Sequence, residues 1–191
     1  MKTLFSRLAT LVVGVALLAV GASGQGSNDA ELTAQLKKLF PNAATFSTKT
    51  GNPAHYRAFG PAAGGKEGDL FGLAYWTTEI EPLERGFDGP IKMLVGLNPA
   101  GEIAGVIVTD HREPYGYFSV DLPDWPKQFE GKSIRDSFKV GNDVDAISRA
   151  TITVTSASRA IRNSSRKIAR AYLAPPAPPA AAAAGSTAPS Q

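Results

Sequence analysis

Asp145-Ala-Ile-Ser-Arg-Ala-Thr-Ile-Thr153 gathers three hydroxyls, a guanidinium and a carboxylate in nine residues. The segment stands between a strand-like stretch and a long amphipathic run. Ser148, Thr151 and Thr153 therefore fall at or near a helix N-terminus, with Arg149 among them. A helix N-terminus presents unpaired N–H groups and a partial positive charge, which suits a phosphate. Hydroxyls there can cap the helix, bind the phosphate or be esterified by it. The plainer alternative is an N-cap supplied by Ser148 or Asp145. Taken alone, so short a motif favours the cap, because short motifs recur by chance.

Other constellations carry less chemistry. His55 and His111 are the two histidines, and His111 stands at His-x-Glu spacing from Glu113. No third ligand follows at a plausible spacing, so no zinc site is read. Ser119, His111 and Asp110 can be drawn as a hydrolytic triad, but they lack the setting of a nucleophile elbow. Asp143 and Asp145 can pair as carboxylates, yet as loop residues they are better read as caps of local backbone. Asp110–Phe118 (DHREPYGYF) is different in kind: a charged cluster enters a Pro/Gly turn dense in aromatics. Such a loop can line a flat aromatic ligand, with rings to stack and polar groups to fix its edge. On its own it reads better as a strand-end turn with surface aromatics.

The elements that must position these groups follow from periodicity. Ser27-Asn28 precedes Leu32, Leu36, Leu39 and Phe40, a first helix capped by Ser27 or Asn28 and stopped by Pro41. Thr45–Thr48 and His55–Phe59 read as short strands around the turn Gly51-Asn52-Pro53, and Gly60–Gly68 as a connector without phosphate-loop spacing. Leu70–Thr78 is a strand, and Phe87-Asp88-Gly89-Pro90 a turn. Ile91, Met93, Val95 and Leu97 alternate along a strand with one well-buried face. Asn98-Pro99-Ala100-Gly101 is a hairpin loop and Ile103–Asp110 the return strand. Pro123–Phe129 starts a short helix ended by Gly131. The last helix runs from Thr151 to Leu173, with Val154, Ala157, Ile161, Ile168 and Tyr172 on one face. Arg159, Arg162, Arg166 and Arg170 lie along another face, read as a solvated one. The fold class is α+β: a twisted, mostly antiparallel sheet with an N-terminal helix and a long C-terminal helix. No internal repeat is visible.

The chain has 191 residues, 43% of them hydrophobic, enough for one domain of ordinary size with tails. Residues 1–24 read as a secretory signal: Lys2 and Arg7, an apolar run from Leu8 to Val20, then Ala22-Ser23-Gly24 as cleavage site. The protein is therefore expected outside the cytoplasm, in the periplasm or on the outer face of the cytoplasmic membrane. Residues 27–173 form the domain, and 174–191 an uncharged Pro/Ala-rich tail expected to be disordered. Cysteine is absent, which excludes disulfides, thiolate metal sites and a lipoprotein anchor. The net charge is +3; setting aside Lys2 and Arg7 leaves 18 basic against 17 acidic residues. That balance argues against a nucleic-acid partner.

Gly89-Pro90-Ile91, Val95-Gly96-Leu97, Gly101-Glu102-Ile103, Gly105-Val106, His111-Arg112-Glu113-Pro114, Phe129, Gly131-Lys132 and Asp145–Thr153 occur in one order. That order and spacing resembles the bacterial FMN-binding domain of the RnfG and NqrC subunits of ion-pumping redox complexes. Within the group the chain looks most similar to the exported N-terminal flavin domain of NosR, and the likeness spans about Leu70 to Leu173. The resemblance implies FMN held through a phosphoester by the final Thr of Asp-x-x-Ser/Thr-Gly/Ala-Ala-Thr. A flavin transferase makes that bond from FAD, using Mg²⁺, after export. Asp145, Ser148, Ala150 and Thr151 match the motif, so Thr151 is the implied anchor. Ser148, Arg149, Ala150 and Thr153 are its neighbours, Asp145 orders the motif, and His111, Glu113 and Tyr115 are assigned to the flavin edge. Arg149 departs from the small residue usual there; it either obstructs attachment or adds a charge-assisted contact to the phosphate, with non-covalent FMN as the fallback. Pro114 follows Glu113 directly where the family has Glu-Thr-Pro-Gly.

NosR continues into membrane helices and Cys-rich segments, whereas this chain stops after the flavin domain. The resemblance thus implies a free-standing or weakly tethered flavoprotein that exchanges electrons with membrane or periplasmic redox partners. An electron-transfer role is expected rather than a self-sufficient enzyme, since no separate acid–base pair is read. The competing readings are a NosR-like regulatory or assembly factor of a respiratory reductase and a flavin-free binding module.

Overall fold

Five strands pair in chain order, each antiparallel to the next: β1 (Thr45–Phe46), β2 (Tyr56–Phe59), β3 (Leu70–Trp76), β4 (Lys92–Leu97) and β5 (Ile103–Asp110). The computed structural model in which they are seen describes residues 23–62, 64 and 67–173. Helices α1 (Ser23–Leu39) and α4 (Thr151–Tyr172) lie at the two ends of the described chain, with the single turns α2 (Thr77–Ile80) and α3 (Asp124–Lys127) between them. The expected α+β class holds. The expected export signal lies outside the described residues apart from Ser23 and Gly24, and so does the tail at 174–191. No helix among the described residues is long and apolar enough to cross a membrane.

Alternation along β4 explains how the layers form, because successive side chains of a strand point to opposite faces. Met93, Val95 and Leu97 join one core with Leu73 and Tyr75. That core is closed by Val154, Ala157, Ile161 and Ile168 of α4 and by Trp125 and Phe129. Leu94 points the other way, into a second core with Ala58, Ala74 and Trp76, closed by Leu36, Leu39 and Phe40. The sequence expectation of one buried face for β4 is therefore corrected: both faces are covered. Glycine makes the second layer possible. A Cβ at Gly72 or Gly96 would meet the Phe40 ring, and one at Gly105 the Leu39 side chain.

Boundaries moved where side chains took over backbone pairing. β3 ends at Trp76 instead of Thr78, and Thr77 starts α2. The Thr77 hydroxyl contacts the Ile91 carbonyl at 3.3 Å and accepts the Met93 N–H at 3.1 Å, replacing strand pairing at that end. The N-terminal helix begins at Ser23, so Ser27 and Asn28 are internal residues and not its caps. Apolar periodicity marks where a helix packs, and the helix extends beyond the packed stretch. β1 and β2 are shorter than expected, at Thr45–Phe46 and Tyr56–Phe59.

α4 packs closely because its buried face is made of small residues. Ser158, Ser164 and Ser165 are buried, and each hydroxyl donates to the carbonyl four residues earlier, at 2.6 Å. This removes the cost of burying a free hydroxyl. The arginine stripe is not simply a solvated face. Arg159 pairs with Glu84 at 2.6 Å, and Arg166 donates to the carbonyls of Ile134 (2.7 Å) and Asp136 (2.8 Å).

Tyr75 is fully buried and its hydroxyl donates to Ser165 at 2.6 Å across the sheet–helix interface. Burial pushes its phenol above the ordinary value, outweighing the serine hydrogen bonds. Tyr75→Phe removes that bond while Ser165 keeps its own donation to Ile161. We expect a loss of about 1 kcal/mol, read as a lower urea midpoint at unchanged m-value; an unchanged midpoint would show that the bond carries no net stability.

Candidate functional site

The carboxylate of Glu113 organises the end of the sheet where α4 begins. β5 ends at Asp110, and Glu113 follows in the next turn, only 6% exposed. One of its oxygens accepts the Asp88 N–H at 3.0 Å; the other accepts the Phe87 N–H at 2.9 Å and the Thr153 hydroxyl. Gly86 leaves the space: a Cβ there would run into this carboxylate. A buried carboxylate is costly unless its lone pairs are filled, and here three donors from two chain segments fill them. Glu113 therefore fastens the 86–88 turn and the first turn of α4 to the end of β5.

His111 holds the same turn from behind. Its Nδ1 accepts the Glu113 N–H at 3.0 Å, so in the neutral ring the proton sits on Nε2, which donates to Asp121 at 2.7 Å. Gly116 is pressed against both partners, since a Cβ there would strike the His111 ring and approach Asp121. Arg112 reaches back to the Asp88 carbonyl at 3.3 Å. The triad drawn with Ser119 does not assemble: the buried Ser119 hydroxyl donates to the Tyr115 carbonyl at 2.8 Å, and His111 faces Asp121 instead of Asp110. No cluster of three metal-ligating side chains occurs among the described residues.

α4 starts without a side-chain cap. Ala150 is its N-cap, and neither Ser148 nor Asp145 caps it; the plain-cap alternative is thereby corrected. The first helical bond inside α4 runs from the Val154 N–H to the Ala150 carbonyl at 3.0 Å. The amides of Thr151, Ile152 and Thr153 thus form the uncapped first turn. Residues two apart on a helix point about 200° from each other. Thr153 accordingly faces inward, 2% exposed and bound to Glu113, while Thr151 faces solvent. Ser148, Arg149 and Asp145 are also exposed, and Ala150 is buried. Arg149 adopts φ +69°, a left-handed conformation that costs a non-glycine residue about 1–2 kcal/mol.

The approach to that turn is fixed by two side chains. Gln128 accepts the Asp145 N–H at 2.7 Å and donates to the Trp125 carbonyl at 2.9 Å, tying the loop to α3. Asp143 accepts from the Ser137 hydroxyl and the Lys139 N–H, both at 2.6 Å, and from the Phe138 N–H at 2.9 Å. It is a cap of local backbone, as its loop position implied, and it does not pair with Asp145. Burial alone would raise its carboxyl, but these bonds and the Lys132 charge outweigh burial and hold it at about 2.

Sequence reasoning brought Thr151, Ser148, Arg149 and Thr153 to one helix start, and the structure places them there. It assigned Glu113 to a ligand edge; the structure places that side chain inward, between two backbone segments and Thr153. Tyr115 is exposed, its ring 5.3 Å from that of Phe118. Tyr117, within the aromatic loop singled out from the sequence, is exposed; sequence reasoning missed two exposed apolar residues near the Glu113 junction, Phe87 (68%) and Ile152 (58%). Ile152 had a signal, since it lies off the buried stripe of α4; Phe87 was hidden inside an ordinary turn motif. Exposed Thr151 and Ile152 thus precede the Thr153 that Glu113 holds, and the exposed Phe87 is tied to the same carboxylate through its amide. A helix start without a side-chain cap can take a phosphate, and exposed apolar side chains near it can meet a flat apolar body.

Residues 86–166 match the FMN-binding domain family, a window that opens at Gly86 and contains Glu113, Thr151 and Thr153. The RnfG component of the ion-translocating oxidoreductase complex of Shewanella oneidensis is 31% identical over 145 residues, 71% of this chain and 63% of that one. Its counterpart in Haemophilus influenzae (strain PittEE) is 33% identical over 118 residues, 56% of this chain and 53% of that one. That of Vibrio vulnificus is 33% identical over 88 residues, covering 41% and 42%. The chain thus spans about half the length of the Haemophilus relative. These relatives carry the RnfG likeness; they do not carry the closer likeness to NosR expected from the sequence.

Two measurements check the geometry. Glu113→Gln keeps the shape but puts amide hydrogens against one of its donors; about 2–3 kcal/mol should be lost, with faster hydrogen exchange at the Phe87 and Asp88 amides. Unchanged exchange at both amides would remove the junction's structural role. Asp143 is held below its ordinary 3.8 in the folded state, so its contribution is complete above that value and is lost as pH falls toward about 2. Asp143→Asn should lower stability at neutral pH and flatten the acid limb in that window; a parallel acid limb in the variant would contradict this.

Proposed function

We propose, from the match of residues 86–166 to the FMN-binding domain family, that the chain is an exported FMN-carrying electron-transfer protein with the flavin esterified to Thr151. The observation that carries the reading is the division of labour at the start of α4. Thr153 is buried and held by Glu113, while Thr151, two residues earlier, is exposed on an uncapped helix turn. The residues present fit the group. The amides of the first turn would receive the phosphate, Ser148 and Arg149 would add donors, and Phe87, Ile152, Tyr115 and Tyr117 offer apolar surface for the ring. Asp145, held at its backbone by Gln128, would present the motif to the maturing enzyme.

When bound, FMN supplies the redox chemistry through its isoalloxazine ring, and the protein supplies binding, orientation and the tuning of potential. Attachment is a group transfer. The Thr151 oxygen replaces AMP on the flavin-side phosphorus of FAD, losing its proton, and AMP leaves. A flavin transferase working with Mg²⁺ would catalyse it outside the cytoplasm. The relatives are named as components of an ion-translocating oxidoreductase complex, which supports membrane redox proteins as electron partners.

Co-expression with a flavin transferase followed by intact-mass measurement tests the reading. The protein should gain the mass of FMN less one water. The gain should vanish in Thr151→Ala and persist in Thr153→Ala if that variant folds. Colourless protein without added mass and without affinity for FMN would leave the flavin-free binding module standing.

A further inference from the structure

A second site stands at the opposite end of α4. A cavity of about 620 Å³ is lined there by Arg135, Arg166 and Arg170, with Ile134, Ala169 and Leu173 as apolar wall and the β4–β5 hairpin loop as its rim. α4 has 22 residues, and at 1.5 Å rise per residue the cavity lies roughly 30 Å from Thr151. The inference is independent of whether Thr151 carries FMN.

The three guanidinium groups have no carboxylate partner among the described residues. The ion pairs among the described residues lie elsewhere, on Lys49, His111, Lys127, Lys132, Arg159 and Lys167. Asp136 accepts the Ser133 N–H at 2.9 Å and Glu102 the Asn98 amide at 3.0 Å, and neither forms an ion pair with an arginine of the cavity. The C-terminal end of α4 contributes only about half a negative charge, which does not balance three cations. Arg166 is also preorganised, since its Nε and Nη2 donate to the carbonyls of Ile134 and Asp136; less rotamer entropy is lost when it meets a ligand. Burial and the neighbouring charges of Arg162 and Arg170 disfavour its cationic form, as expected for cations gathered without an anion.

We propose that this cavity binds a small organic anion, a phosphate or carboxylate group carried on an apolar body. The arginines would fork onto the anionic oxygens, and Ile134, Ala169 and Leu173 would cover the apolar part. A free inorganic ion would leave that wall exposed and bind more weakly.

Phenyl phosphate and benzoate are the probes, titrated into ¹⁵N-labelled protein, with inorganic phosphate and benzyl alcohol as controls. Amide shifts should saturate at Gly101, Ser133 and Ala169 while Ile152 and Thr153 stay unmoved. At least one aromatic anion should bind at about millimolar affinity or tighter, and both controls about tenfold more weakly. Arg135→Gln and Arg170→Gln remove side chains that make no hydrogen bond among the described residues, so the fold should persist. Each should weaken binding about tenfold, and added salt should weaken it further. The proposal is overturned by absent shifts at the three amides, by benzyl alcohol binding as tightly as the anions, or by unchanged affinity in both variants.

Discussion

A buried carboxylate is tolerated only where its surroundings are arranged for it, and Glu113 makes that demand on the whole upper end of this domain. Its oxygens collect the Phe87 and Asp88 amides and the Thr153 hydroxyl. Removing one donor would leave a buried oxygen short of a partner, at a cost of about 1–3 kcal/mol. The demand propagates. Gly86 must lack a side chain, His111 must turn its unprotonated nitrogen toward the Glu113 amide, and Gly116 must let the imidazole pass. The turn after β5, the turn before β4 and the start of α4 are thereby one unit.

The remainder of the architecture holds that unit still. α4 lies against one face of the sheet through Val154, Ala157, Ile161 and Ile168, while Leu36, Leu39 and Phe40 close the other. Small residues set both distances: serines on α4 whose hydroxyls bond inside their own helix, and glycines under Phe40 and Leu39. The single long helix joins two surfaces of different chemistry. Its beginning offers bare amides, and its end gathers arginines beside an apolar wall.

Much of this was legible in the sequence because local physics dictated it. The 3.6-residue period of Val154, Ala157, Ile161 and Ile168 specified α4, and Asn98-Pro99-Ala100-Gly101 specified the hairpin. The order of glycine, proline and motif residues pointed to the family. What was not legible depended on distant partners. Glu113 looked like a surface acid of a turn, because nothing local announces that amides 25 and 26 residues away will meet it. The second covered face of β4 depended on where Leu39 and Phe40 would land. The arginines of α4 read as a solvated face, because the backbone acceptors of Arg166 sit 30 and 32 residues earlier and the Glu84 partner of Arg159 sits 75 residues earlier. Arg149 could be recognised as unusual from its type, but the left-handed backbone that makes glycine the easier residue there is visible only in three dimensions.

The spacing of Thr151 and Thr153 fixes a phase. With the inner hydroxyl clamped, the outer one is carried round the helix axis by two residue steps, about 200°. Slack in the loop before Ala150 would leave that angle alone, whereas one residue inserted or deleted between the threonines would rotate the outward group by about 100°. Length variation before Ala150 therefore preserves the angle between the two hydroxyls, and length variation between the threonines does not.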